Sequence, residues 1–169
     1  LPGGYEATTG VKADATLWSW GINENGILGL NQAHDSRISS PTQIGSGTDW
    51  SNSDVYIDIC LAVKTNGTLW SWGGNFYGGG GRNDRTARSS PTQVGTDTTW
   101  DADNIAGSGY GASALKTDGT LWAWGYSPSG NLGLNQGNTV PYSSPVQVGT
   151  QSTWSKIDTG SGIAIGLKT

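Results

Sequence analysis

The residues best suited to recognition chemistry lie close together between positions 75 and 88. They are the only phenylalanine of the chain, a neighbouring tyrosine and three arginines: Phe76, Tyr77, Arg82, Arg85 and Arg88. Aromatic and arginine side chains carry much of the binding energy of protein interfaces. The sequence therefore predicts a binding loop at this point. The alternative is a solvent-facing loop whose aromatic rings cover the neighbouring unit of the fold.

Residues suited to catalysis or metal binding are few. The chain has one histidine, His34, in the segment QAHDSR, and one cysteine, Cys60, in the apolar run VYIDICLAV. One histidine cannot build a histidine-rich metal site, and one cysteine cannot form an internal disulfide. We expect His34 in a solvated loop, Cys60 in the core, and the acids Asp54, Asp101 and Asp103 at turns or strand ends. The sequence also lacks phosphate-loop and HExxH patterns, so we predict no enzyme activity, no cofactor and no metal site.

The composition argues against two further classes of partner. Nine lysine and arginine residues stand against 13 aspartate and glutamate residues, for a formal net charge of −4. Nucleic-acid-binding surfaces are basic, so we expect no nucleic-acid partner. The sequence has no apolar run long enough for a membrane span. Aliphatic residues are sparse, and nine tryptophans supply the apolar surface from which a core can be built.

The elements that must position the candidate loop follow a 52-residue repeat. The hexapeptide TLWSWG occurs at Thr16–Gly21 and Thr68–Gly73 and returns as TLWAWG at Thr120–Gly125. A second block, SSPTQ or SSPVQ, precedes a further tryptophan in each unit, and four lysines keep the 52-residue spacing: Trp50, Trp100 and Trp154; Lys12, Lys64, Lys116 and Lys168. Because every tryptophan recurs with the repeat, we interpret the tryptophans as scaffold rather than as parts of a unique site.

Each unit carries β-strand signals. The pairs Asn66-Gly67 and Asp118-Gly119 separate alternating apolar segments. This pattern predicts hairpins closed by type I′ turns, which need positive φ at both central residues. The first unit has Ala15 in place of the glycine, so its turn should be strained or of another type. We expect about four short strands per unit and no helix.

The loop that follows the TLW strand departs from the repeat in the second unit. The segment NFYGGGGRN at Asn75–Asn83 replaces the pattern NENGILGLN. Gly79 and Gly80 stand where the first unit has Ile27 and Leu28, and Arg82 takes the place of Leu30. Two anchoring leucines are thereby lost. Consecutive glycines also increase the entropy lost on ordering, so we expect this loop to be mobile.

Counted from TLW, the chain divides into three units and a leading segment. Residues 16–65, 68–117 and 120–169 form blade units 1, 2 and 3, and residues 1–13 supply a strand of a preceding blade. Units of about four strands that repeat in this way are typical of β-propeller blades.

The motifs resemble the RCC1 repeat, which is named after the regulator of chromosome condensation. The resemblance is carried by ALKTDGTLWAWG at Ala114–Gly125, GNLGLN at Gly130–Asn135 and SSPVQVG at Ser143–Gly149, with their counterparts in the other units. It implies an all-β propeller of RCC1-type four-stranded blades, with about three blades present as a partial ring or as a fragment of a seven-bladed propeller. We expect either a segment of a longer chain or copies that complete one another's blades.

The resemblance also implies a non-catalytic module for protein interaction or structure. Its partner would be another protein, or a second copy that completes the propeller. Low charge and abundant Gly, Ser, Thr and Asn resemble bacterial and phage relatives, which suggests an extracellular or virion surface location, as a decoration or fibre component. Two alternatives stay open: a carbohydrate-binding propeller for a surface glycan, and an RCC1-type guanine-nucleotide exchange or chromatin-binding module. The GWRHT-type motif of the family's UV-B receptors has no match, so photoreception is not expected.

Overall fold

The computed structural model describes residues 7–32, 36–108, 110–135, 140–160 and 163–168. Within these ranges the chain forms antiparallel sheets, one 3-10 turn at Glu24–Gly26 and no α-helix. Two of the sheets have four strands each, which confirms the prediction of an all-β fold with four-stranded blades. His34 and residues 1–6 lie outside the described ranges.

Each sheet is a meander in which strands that follow one another along the chain pair side by side. Sheet 1 contains β1 (Ala7–Val11), β2 (Leu17–Ile22) and β3 (Arg37–Gln43). Sheet 2 contains β4 (Trp50–Tyr56), β5 (Ile59–Lys64), β6 (Leu69–Gly73) and β7 (Arg88–Gln93). Sheet 3 contains β8 (Trp100–Ser108), β9 (Gly111–Lys116), β10 (Leu121–Gly125) and β11 (Tyr142–Gln147). Sheet 4 contains β12 (Trp154–Gly160) and β13 (Ile163–Lys168).

The sheets and the repeat units are counted from different points of the same period. Sheets 2 and 3 begin at the tryptophan that follows the SSPTQ block, whereas the units begin at TLW. The hairpin that joins β5 to β6 therefore crosses from one unit into the next. A unit such as 68–117 holds the last two strands of sheet 2 and the first two strands of sheet 3.

The turns of these hairpins are not type I′. In sheet 2 the Gly67 N–H donates to the Lys64 carbonyl at 2.8 Å, and φ is positive at Gly67 but not at Asn66. The Asn66 side chain instead accepts hydrogen bonds from the N–H and the hydroxyl of Thr68, at 3.1 and 2.7 Å. This local bonding favours a type I turn followed by a left-handed glycine, which is the usual three-residue hairpin loop.

The first unit makes the same turn without the glycine. Ala15 has φ of 59°, and the Asp14 carboxylate accepts bonds from the Thr16 N–H and hydroxyl as Asn66 does for Thr68. A left-handed φ brings Cβ close to the backbone in any residue but glycine. The left-handed φ of Ala15 supports the expectation of strain in this turn.

The first strands of successive sheets lie next to one another and are joined by polar side chains. Asn52 Nδ2 of β4 donates to the Ala102 carbonyl of β8 at 3.0 Å, and the Gly107 N–H of β8 donates to the Asp54 carboxylate of β4 at 2.9 Å. The Ile157 N–H of β12 donates to Asn104 Oδ1 at 3.1 Å. Asp54 thus joins sheet 2 to sheet 3.

Tryptophans make a second set of contacts between sheets. Trp72 Nε1 of sheet 2 donates to the carbonyl of Ile27, in the loop of the preceding unit, at 2.8 Å. Trp124 Nε1 of sheet 3 donates to the Gly79 carbonyl in the same manner at 2.7 Å. Both indoles are fully buried. The interpretation of these tryptophans as scaffold is confirmed.

Buried apolar clusters fill the spaces between neighbouring sheets. Leu17, Ile27, Leu28 and Ile44 of unit 1 pack against Trp50, Cys60, Ala62 and Trp72 of sheet 2. The space between sheets 2 and 3 is filled in the same way by Ile59, Leu61, Val63, Leu69 and Val94 against Trp100, Ala112, Ala114 and Trp124. Sheet 2 is therefore stabilised on both of its faces by its neighbours.

Replacing Trp72 with Phe should show the contribution of the bond between units. The substitution removes the donor to the buried Ile27 carbonyl and leaves a small cavity, so the free energy of unfolding should fall by about 2–3 kcal/mol. Trp70→Phe is the matched control, because Trp70 Nε1 donates locally to the Thr68 hydroxyl from a half-buried position. In Trp70→Phe the free energy of unfolding should fall by about 1 kcal/mol or less. Equal losses in urea unfolding would contradict the role given to Trp72.

The turn at Ala15 yields a second prediction. Ala15→Gly should raise the free energy of unfolding by about 0.5–1 kcal/mol, because glycine adopts the left-handed conformation without steric cost. Gly67→Ala, the reverse change at the same turn of sheet 2, should destabilise by about 2 kcal/mol or more, since its Cβ would collide with the Thr98 carbonyl oxygen. Thermal unfolding of the two variants measures both effects. A loss of stability in Ala15→Gly would refute the strain.

Candidate functional site

Four aromatic side chains from sheets 2 and 3 gather at one edge of the fold. Phe76 and Tyr77 follow β6, Tyr110 lies in the β8–β9 hairpin, and Tyr126 follows β10. Ring centroids are 4.6 Å apart for Tyr77 and Tyr110, and 5.3 Å apart for Tyr77 and Tyr126, whose rings are stacked. Phe76 is 65% exposed and Tyr110 is 51% exposed. We call these four residues the aromatic rim.

The aromatic rim contains two of the five residues that the sequence singled out. Phe76 and Tyr77 are brought together with two tyrosines that sequence reasoning missed, Tyr110 and Tyr126. A signal was present, because Asp58 stands 52 residues before Tyr110 and Gly74 stands 52 residues before Tyr126. The two tyrosines are thus departures from the repeat, in a unit that otherwise follows it.

The four-glycine loop behind the rim is held by hydrogen bonds. The Gly80 N–H donates to Asn75 Oδ1 at 2.8 Å, and the Ser71 hydroxyl donates to the Gly80 carbonyl at 2.6 Å. In the other two units the corresponding bonds run from the Leu28 N–H to Asn23 and from the Leu132 N–H to Ser127. Gly79, Gly80 and Gly81 are buried. The structure therefore describes a loop fixed by the bonds of the repeat, where mobility was expected from its glycines.

Arg82 fills the space that the missing leucine leaves. A Cβ on Gly80 would lie 2.7 Å from Nη1 of Arg82, so the guanidinium occupies the room that a side chain at position 80 would need. Nη1 donates to the Ser71 hydroxyl at 2.5 Å and Nη2 donates to the Thr86 carbonyl at 2.8 Å. Burial lowers the pKa of Arg82. This arginine is thus part of the packing of the loop.

The other two arginines differ in their surroundings. Arg88 forms an ion pair with Asp84 at 2.8 Å, while Arg85 is exposed. Asp84 also accepts bonds from Asn75 Nδ2 at 3.0 Å and the Thr86 N–H at 2.9 Å. Burial acts to raise the pKa of Asp84, but the Thr86 bond and the arginine charges outweigh it and lower that pKa. Of the three arginines, Arg85 presents its charge to solvent.

A small crevice opens beneath the aromatic rim. It is lined by Tyr56, Asp58, Gly74, Phe76, Tyr77 and Tyr110 among others, and its volume is about 10 Å³. Asp58 is the charged residue among those that line it. A carboxylate thus lies among aromatic rings at the foot of an exposed surface.

Two larger clefts lie between neighbouring sheets and carry the tryptophans. The cleft between sheets 2 and 3 has a volume of about 540 Å³, and the cleft between sheets 1 and 2 has about 340 Å³. In the larger cleft Lys116 Nζ lies 3.9 Å from the Trp122 ring centroid and 2.5 Å from Asp97. A cation over an indole face occupies the position where a sugar ring would stack. The Trp122 face beneath Lys116 is therefore already covered.

The remaining reactive groups have structural surroundings. Cys60 is buried, its Sγ lies 3.3 Å from the Ile27 carbonyl, and burial raises the pKa of the thiol. Asp101 accepts bonds from the Asp103 N–H and from Asn104 Nδ2 within β8. Among the described residues, no group of three or more His, Cys, Asp or Glu side chains could hold a metal ion. Within the same residues, no helix has the length and apolar character to cross a membrane.

Comparison with known proteins identifies sequence relatives of this chain. The family model of the regulator of chromosome condensation (RCC1) repeat matches residues 118–167. The ultraviolet-B receptor UVR8 of Arabidopsis thaliana is 32% identical over 123 residues, which is 73% of this chain and 28% of the receptor. The human E3 ubiquitin-protein ligase HERC2 is 27% identical over 143 residues, which is 82% of this chain and 3% of the ligase.

Solved structures share the fold. Prp20p of Saccharomyces cerevisiae superposes with a TM-score of 0.81 at 17% identity, over 96% of this chain and 42% of that protein. Human WBSCR16 superposes with a TM-score of 0.75 at 24% identity, over 90% of this chain and 40% of that protein. This chain spans less than half the length of each of these relatives. From its repeated motifs, its four-stranded sheets and these matches, the chain belongs to the RCC1-repeat β-propeller family.

Proposed function

We propose that this chain is a non-catalytic propeller module that binds a protein partner through the aromatic rim and Arg85. The observation that carries the proposal is the exposure of Phe76, 65%, beside the crevice that it lines together with Tyr77 and Tyr110, two members of a packed group of three tyrosines. Aromatic and arginine side chains are enriched in interface hot spots, and Arg85 is exposed in the segment that carries Phe76 and Tyr77. The partner is another protein or a second copy of the chain.

The rim is presented in a fixed geometry, which supports a binding role. Tyr77 stacks on a ring from the next sheet, and Arg82 and Arg88 hold the loop from behind. Side chains that are already ordered lose little entropy when a partner binds. We therefore propose a division of the five predicted residues: Phe76, Tyr77 and Arg85 contact the partner, while Arg82 and Arg88 position the loop.

The relatives are consistent with a protein partner. The structure of Prp20p is described together with its binding to Gsp1p and histones, and a second structure contains Kap60 bound to Prp20. A human relative, 30% identical over 114 residues, is named an RCC1-like G exchanging factor-like protein. Guanine-nucleotide exchange and chromatin binding thus stay alternatives for this chain. We also propose a structural role on a virion or cell surface. The low charge and the abundance of Gly, Ser, Thr and Asn support this role.

Glycan binding is the second candidate function. The observation in its favour is the pair of tryptophan-lined clefts between sheets. The lysines over the indole faces weigh against it. A glycan array with the intact chain separates this candidate from the first, because a hit that is lost on changing Trp122 would favour the clefts over the rim.

Selection of peptides on the intact chain tests the proposed surface. A random peptide phage library should yield binders whose affinity falls at least about 30-fold on Phe76→Ala, since a hot-spot side chain contributes about 2 kcal/mol or more. Leu167→Ala is the matched control, because Leu167 is 60% exposed but lies in β13, away from the rim. The peptides should bind Leu167→Ala with an affinity within about twofold of that for the unaltered chain. Surface plasmon resonance measures both.

The same variants decide between a binding and a structural role for Phe76. Its exposure implies that the melting temperature of Phe76→Ala stays close to that of the unaltered chain. Loss of stability equal to the loss of binding would show that Phe76 packs the fold. Binders that are insensitive to Phe76→Ala would place the interaction surface elsewhere.

A further inference from the structure

Asp58 occupies the tip of the β4–β5 hairpin. Tyr56 pairs with Ile59, so Ile57 and Asp58 are the two turn residues. The Asp58 carbonyl accepts a hydrogen bond from the Gly74 N–H at 2.6 Å, and its carboxylate lies against Gly74, where a Cβ would collide with Oδ2. The carboxylate is thus held at a fixed point beside the crevice.

The charge of Asp58 is poorly compensated. Burial raises the pKa of this carboxyl, a hydrogen bond from its own backbone N–H lowers it in part, and the nearby carboxylate of Glu24 raises it further. The charged side chain that acts on it is therefore another acid, and not a lysine or arginine. An ionised carboxylate in such a place costs folding free energy unless a cation is supplied.

The hairpin does not need a carboxylate at this position. Tyr110 holds the same place in sheet 3, and its carbonyl accepts a bond from the Tyr126 N–H at 3.0 Å, as the Asp58 carbonyl does from Gly74. The turn therefore depends on backbone bonds. Ile57, beside Asp58, has φ of 48°, a strained conformation for a β-branched residue. Such costs are typical of functional positions.

The crevice beside Asp58 is suited to one kind of cation. Its walls include Tyr56, Phe76, Tyr77 and Tyr110, and aromatic rings attract cations. Its volume of about 10 Å³ is close to the space that one water molecule needs. An ammonium group is of that size, whereas a planar guanidinium is larger.

We propose that the crevice under the aromatic rim receives a primary ammonium group, which a lysine side chain of the partner protein supplies. The ammonium would donate to the Asp58 carboxylate while the aromatic rim covers the lysine stem. The net charge of −4 suits a cationic partner. This inference rests on the proposed protein-binding function and specifies the chemistry of the bound residue.

The uncompensated charge of Asp58 can be tested by measuring the melting temperature at neutral and acid pH. Because its folded pKa is raised, the protonated form contributes stability below the pKa of an unfolded aspartate, and this contribution is lost as the pH rises through the folded value. Asp58→Asn should therefore raise the melting temperature at neutral pH, by about 2 °C or more, and have no effect in acid. Asp103→Asn, an exposed change of the same charge, should have no effect at either pH. A destabilising Asp58→Asn would overturn the proposal.

Ligand binding is tested with three short peptides on the intact chain. They carry lysine, acetyl-lysine or arginine between two glycines and are blocked at both ends, so that the lysine side chain supplies the only primary ammonium. Binding is followed by the NMR signals of the tyrosine rings. The lysine peptide should bind, and the other two should bind at least about 10-fold more weakly, because acetylation removes the charge and guanidinium exceeds the crevice. Asp58→Asn should weaken lysine binding by about 10-fold or more. Asp103→Asn, with the same loss of charge, should leave it unchanged.

The outcomes separate this inference from the proposed function. Equal binding of the lysine and acetyl-lysine peptides, equal loss in the two aspartate variants, or no binding of the lysine peptide would each overturn the ammonium site. Phage-selected peptides that depend on Phe76 but contain no lysine would overturn it too, while leaving the protein-binding rim in place. Lysine binding without any Phe76-dependent peptide would support the ammonium site and contradict the rim.

Discussion

The hydrogen bond from a buried indole to the loop of the preceding unit is the contact on which the rest of the structure depends. Trp72 and Trp124 each reach back to such a loop, and Gly29 and Gly81 lie so close to these rings that a Cβ would be within 3 Å of Nε1. One bond thus sets the distance between two sheets and the position of a loop. The buried clusters fill the space that this spacing leaves.

The aromatic rim is a product of the same constraint. The loop that accepts the bond from Trp124 is the loop that carries Phe76 and Tyr77. Anchoring Gly79 to sheet 3 brings Tyr77 against Tyr110 and Tyr126 of that sheet. Arg82 completes this loop, because its guanidinium replaces an apolar side chain without changing the bonds of the backbone. The exposed site therefore varies while the scaffold beneath it is kept.

The repeat made the strands, the scaffold role of the tryptophans and the strain at Ala15 predictable, since each is a property of one unit compared with its copies. The turn type was not, because Asn66 accepts bonds from Thr68 and keeps its own φ negative. The glycine loop was expected to be mobile, but the structure shows it ordered. The contact of Arg82 with Ser71 helps to order it, and the high glycine content of the loop does not reveal that contact. Tyr110 and Tyr126 belong to sheet 3 and contact Tyr77 of the neighbouring sheet. The spacing of residues along one unit does not reveal such a contact between sheets.

The direction of the tryptophan bonds has a consequence for synthesis on the ribosome. In each described case the acceptor carbonyl belongs to the earlier unit and the donor indole to the later one, as with Ile27 and Trp72. The receiving loop is therefore translated before the side chain that docks on it. Domains generally fold as units during synthesis, with the N-terminal ones first. Each new sheet can therefore dock on a loop that has already left the ribosome.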